Sequence, residues 1–301
     1  MNKKVGVLLV HGMGTLADDF AHDMVYELRE RISGRGLNRD EIAWQGVYWA
    51  PLLSAREHQI RVDLAANNDL NWAKLRKFFL NAFGTMSSYH ASGNRPDSLY
   101  HRVHGVVHQG LQQLRAKLGD QDKPLIVVAH SVGSVFMSNY IWDRQKGYDQ
   151  ERYGSTPFER METLTGLVTL GSNIPLFAVD KENLACVEFP PAALAEPLRK
   201  KAKWLNLYDS DDVLGWPLKP LSPSYSAAVS EDIEVSVGNI LTSWNPANHS
   251  AYWSDENVIK PMVYLLSTIL EATHAPPAVT SEAQHLNLGE DSPSPSGRGV
   301  V

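Results

Sequence analysis

The sequence predicts an α/β domain: a mostly parallel sheet of about six strands with helices on both faces. Three observations carry this. Short runs rich in β-branched residues recur along the chain, as strands buried on both faces of a parallel sheet read. Amphipathic stretches with helical spacing alternate with them. Most of the runs end in a turn of small or polar residues, where reactive loops of such sheets lie.

The first strand is expected over Lys3–Val10, ending at His11-Gly-Met-Gly14. A helix follows, with Phe20, Met24, Val25, Leu28 and Ile32 on one stripe and Gly34 as its stop. A second strand is expected over Ile42–Trp49. From 51 to 96 polar stretches alternate with amphipathic pieces such as Trp72–Phe83, which predicts a helical insertion before the central strand. Trp72, Phe78, Phe79 and Phe83 suit either a lid touching a membrane surface through 72–89 or a subdomain packed on the core. Asp97 is the expected cap of a helix bearing Val103, Val107, Leu111, Leu114 and Leu118. The central strand is Leu125–Ala129, followed at once by a helix over 134–143. Further strands are expected over Gly166–Leu170, Trp204–Tyr208 and, at an edge, Asp232–Val237. Helices are expected over 192–202 and 251–272. The Pro-, Ser- and Gly-rich segment 275–301 predicts a disordered tail, leaving 1–274 as the folded domain.

Composition narrows the function. The chain has 301 residues, 43% of them apolar, enough for a sizeable core. A net charge of −6 with no basic stripe argues against nucleic acid as a partner. The lone Cys186 excludes an internal disulfide framework and a cysteine metal site. No signal peptide and no apolar run of spanning length is seen, so a cytoplasmic location is expected. His101, His104 and His108 share a helix face, but no Asp or Glu completes a ligand set in the sequence nearby. A solvated or groove-lining face is expected there, and neither metal nor organic cofactor.

The turn after the central strand is Ala129-His-Ser131-Val-Gly133. A strand that turns directly into a helix around Ser131 needs small neighbours, and it lifts the hydroxyl above the sheet edge. A serine hydroxyl is a weak nucleophile at neutral pH. It needs an imidazole to take its proton and a carboxylate to orient that imidazole. The strand ends supply Ser131, then Asp209, Asp211 or Asp212, then His249, in the order expected for such a sheet. Asp212 is favoured, because Val213-Leu214 would anchor it; Asp209 and Asp211 stay open. The backbone N–H groups of Val132 and Met13 are the expected oxyanion donors, with His11, Gly12, Gly14 and Gly133 shaping the two turns. A dinucleotide site is disfavoured, because Gly12-Met-Gly14 lacks the third glycine.

Val10-His-Gly-Met-Gly14, Ala129-His-Ser-Val-Gly133, Thr169-Leu-Gly-Ser172, Asn206–Val213 and His249-Ser-Ala-Tyr-Trp253 together resemble the α/β-hydrolase superfamily, and within it small serine lipases and esterases. The resemblance implies Ser131, Asp212 and His249 as the triad, Met13 and Val132 as oxyanion donors, and a small ester or lipid as substrate. A thioesterase or amidase with the same residues, or a non-catalytic member binding a lipid or protein, would share the pattern.

Overall fold

The computed structural model describes residues 2–13, 17–53, 59, 83–89, 97–178, 184–237 and 248–274. Most of the expected 51–96 insertion, Gly14 and the 275–301 tail lie outside these residues.

Six strands form one sheet: β1 (Val5–Val10), β2 (Ile42–Val47), β3 (Leu125–His130), β4 (Leu164–Leu170), β5 (Lys203–Tyr208) and β6 (Glu231–Glu234). Their spatial order is β2-β1-β3-β4-β5-β6, and every pairing is parallel. This is the central sheet of an α/β-hydrolase fold. Among the described residues four long helices flank it: α1 (His22–Gly34), α2 (Leu99–Lys117), α3 (Val132–Lys146) and α4 (Glu256–His274). The helix expected over 192–202 shrinks to the single turn Glu196–Arg199: Pro197 fits only a helix's first turn and so bars extension back toward 192, and β5 begins at Lys203.

Both faces of the sheet are covered, as the apolar runs require. Leu8, Val10, Val127 and Ala129 pack on the layer of α2 and α3, while Val7, Leu9, Ile126 and Val128 pack on α1 and α4. Each fully buried aliphatic side chain contributes roughly 1.5–3 kcal/mol. The chain leaves β1 for β2 on one side and returns as β3 on the other. The carboxyl ends of β1 and β3 therefore flank a topological switch point, the crevice where such sheets bind ligands.

A polar chain runs through β4, β5 and β6. Trp204 Nε1–H donates to Thr169 Oγ1 (3.2 Å), whose hydroxyl donates to Asn206 Oδ1 (2.8 Å). Asn206 Nδ2 donates to Asp232 Oδ1 (2.7 Å) and to the Trp216 carbonyl (3.0 Å). Asp232 also accepts from the N–H groups of Leu218 and Lys219. Asn206 is fully buried, and it ties the loop after β5 back onto the sheet.

The free side of β2 is closed by side chains. Its carbonyls at Ile42, Trp44 and Gly46 accept from Lys3 Nζ (3.2 Å), Lys117 Nζ (2.8 Å) and Gln45 Nε2 (2.8 Å). Positions two apart in a strand point the same way, so one row of edge acceptors is met in full over these residues.

Candidate active site

Ser131 sits between β3 and α3 with φ 55° and ψ −127°, a left-handed conformation for a side chain other than glycine. Holding it costs on the order of 1–3 kcal/mol, which the packing of β3 and the wholly buried start of α3 must offset. The close fit explains the neighbouring glycines. A Cβ at Gly133 would lie 2.7 Å from the His11 carbonyl oxygen and 2.9 Å from that of Val10. A Cβ at Gly12 would lie 2.5 Å from Ser131 Cβ. The first loop and the elbow thus meet backbone to backbone.

Ser131 Oγ is 2.6 Å from Nε2 of His249, and Nδ1 of His249 is 2.7 Å from Asp212 Oδ2. All three residues are buried. Asp212 comes from the loop after β5 and His249 from the 3₁₀ turn Asn248–Trp253 that precedes α4. Burial alone would raise the Asp212 pKa, but the His249 bond and charge, the Leu214 N–H (3.0 Å) and the Tyr252 hydroxyl (3.1 Å) outweigh it and hold the carboxyl below its usual value. The other two carboxylates do other work. Asp209 accepts from the N–H groups of Val237 (2.7 Å) and Asp211 (2.8 Å), pinning its loop, and Asp211 is exposed. The expected Val213-Leu214 anchor is half right: Leu214 is buried and its N–H grips Asp212, whereas Val213 is 68% exposed.

Three supports were not assigned from the sequence. Tyr252 donates to Asp212 and accepts from the Asp209 N–H (2.9 Å). His130 Nε2–H donates to the His249 carbonyl (2.6 Å), fastening the turn that carries the imidazole. Burial first, then the nearby His249, pushes the His130 pKa down to about 3, so it stays neutral. Asn173, at the carboxyl end of β4, donates from Nδ2 to Ser131 Oγ (3.3 Å). Strand-end placement brought Gly171–Asn173 to this edge, but nothing in the sequence marked Asn173 itself.

His11 shapes the first turn. Nδ1–H donates to the Gly12 carbonyl (2.7 Å), Nε2 accepts from the Trp49 N–H (3.1 Å), and the ring stacks on Trp49 at 4.8 Å. Burial lowers its pKa to about 4, against the smaller opposing pull of the Gly12 carbonyl. Because C=O and N–H of one trans peptide point opposite ways, fixing the Gly12 carbonyl also fixes the Met13 N–H. Val132 opens α3, so its N–H has no partner within the helix.

Val135 of α3 and Ile174 border a cavity of about 290 Å³, also lined by Trp142, Phe177, Val187 and Tyr225. The face of α2 that carries the histidines differs from expectation. His104 is fully buried under Tyr89, whose hydroxyl meets its Nε2 at 2.9 Å, so the face is not solvated. Each histidine faces its own carboxylate: His101 Asp149, His104 Asp143 and His108 Glu159. Among the described residues no three potential metal ligands converge, and no helix is long and apolar enough to cross a membrane.

Searches found no family model and no curated protein that matches the chain. One similar solved structure belongs to work on the metagenome-derived lipolytic enzymes LipS and LipT. It shares 11% identity, covers 88% of this chain and 94% of its own, and superposes with a TM-score of 0.38.

Proposed function

We propose that this chain is a serine hydrolase that cleaves carboxylic esters through an acyl-Ser131 intermediate, with residues 1–274 as its catalytic domain. The observation that carries the reading is the continuous relay from Ser131 Oγ through His249 to Asp212, at 2.6 and 2.7 Å. Oγ attacks the ester carbonyl while Nε2 takes its proton. Asp212, ionised and already bonded to Nδ1, stabilises the imidazolium. The N–H groups of Val132 and Met13 receive the oxyanion, an effect worth roughly 2.7–4 kcal/mol per donor at comparable sites. His249 returns the proton to the leaving alcohol, then activates the water that frees Ser131.

The test is labelling by an alkyl fluorophosphonate, with Ser131→Ala as control. Stoichiometric labelling of the wild type and none of the variant is expected, with turnover of aryl esters falling at least about 10³-fold in the variant. Equal labelling of both proteins would remove Ser131 from the chemistry.

A further inference from the structure

Among the side chains that meet Ser131 Oγ, one buried polar atom lacks a partner. Asp212 only accepts, so Nδ1 of His249 carries the proton of their bond and Nε2 is an acceptor. Ser131 Oγ then donates to Nε2. The remaining neighbour of Oγ must be a donor, which sets Asn173 Nδ2 toward it and Oδ1 away. Oδ1 is buried and has no hydrogen-bond partner, and Asn173 as a whole is 2% exposed. Turning the amide over does not help: it would place Oδ1 against an oxygen whose only proton is committed, and would strand Nδ2 instead.

The backbone cannot relax to relieve this. Asn173 O accepts from the Leu176 N–H (3.0 Å), Ser172 O from the Trp216 N–H (3.0 Å), and Ser172 Oγ is 2.9 Å from Ser134 Oγ. A buried acceptor left unpaired is destabilising, and a site that keeps one beside its attacking oxygen gains when a ligand supplies the missing proton.

We infer that Asn173 Oδ1 accepts a hydrogen bond from an O–H or N–H on the atom next to the scissile carbonyl, so that the preferred substrates are 2-hydroxy or 2-acylamino esters rather than plain alkanoates. This rests on the hydrolase reading above. The amide nitrogen lies 3.3 Å from the attacking oxygen and Oδ1 shares its carbon, so the part of an acyl group closest to Oδ1 is the atom next to the carbonyl under attack. Val135, one turn along α3 from Ser131, and Ile174, next to Asn173 in the chain, line a cavity of about 290 Å³, which has the volume for the rest of a short acyl chain.

Matched aryl esters of hexanoate, 2-hydroxyhexanoate and 2-acetamidohexanoate test this, each kcat/KM divided by the ester's hydroxide-catalysed rate. The wild type should favour at least one donor-bearing ester over hexanoate on the order of tenfold; which of the two tells hydroxyl from amide. Asn173→Leu should bring that ratio to about one. Asn173→Asp, which keeps an acceptor, should lower kcat yet retain a preference. A purely structural Asn173 would depress all three esters alike and leave the ratio unchanged, which overturns the inference. So does a wild-type ratio of one, whatever the variants do. If fluorophosphonate still labels Ser131 while the ratio is one, only the recognition role falls. If neither labelling nor turnover occurs, the hydrolase reading falls and takes this inference with it.

Discussion

At Gly171 a single missing side chain decides whether the imidazole can stand where it does. Its φ is +50°, and a Cβ there would lie 2.8 Å from the Tyr252 ring and 3.1 Å from His249 Cε1. Gly171→Ala should therefore push His249 off Ser131 and lower kcat by about 10²-fold, the cost typical of a displacement near 1 Å. Thermal unfolding would show whether the fold survives; unchanged kcat in a folded variant would contradict the packing. The residues that do the proposed chemistry were legible, because Ser131, Asp212 and His249 each close a strand or a loop at one edge. Their supports were not. Tyr252, His130 and Asn173 act through contacts between residues 40 or more positions apart, such as Asn173 to Ser131 and His130 to His249, and no local pattern encodes such a contact.

Among the elements, β5 shows how a polar residue in an apolar strand positions a loop. Asn206 bonds Thr169 on one side and Asp232 and Trp216 on the other. Asn206→Leu keeps the volume but strands at least two buried polar groups, each worth roughly 1–3 kcal/mol. Unfolding in urea should show a loss of about 2–4 kcal/mol, with activity falling as the Asp212 loop loosens. A loss below about 0.5 kcal/mol would mean that the bonds are dispensable. The strands other than the polar edge strand β6 are readable to within a few residues, since burial in the sheet leaves an apolar run whatever the topology. Helix α2 is legible as an element, but its histidine face is not solvated at His104: the tyrosine that covers it belongs to residues 83–89, whose docking no periodicity in α2 could announce.

For the whole molecule, three buried histidines set the acid limit. Burial lowers the pKa of His11 to about 4 and those of His104 and His130 to about 3, all from 6.5. The folded state keeps them neutral while the unfolded chain protonates them below pH 6.5. Their contribution to stability is thus complete above pH 6.5 and drains away as pH falls toward 4 and then 3. Each drains up to about 1.4 kcal/mol per pH unit. Unfolding free energies at pH 7, 5.5 and 4.5 should fall ever more steeply; a flat profile across that range would show that these side chains are charged or solvated in the native protein.

The side chains of Lys3, Gln45 and Lys117 on the outer carbonyls of β2 bear on how copies of the chain meet. An incoming strand would have to displace two ammonium groups and an amide before its own N–H groups found an acceptor. At the opposite rim the exposed Glu231 and Glu234 place two carboxylates on the short β6. Fibre-like growth through either border of the sheet is disfavoured at the level of individual atoms, and crowded solutions of the folded protein gain a built-in resistance to stacking.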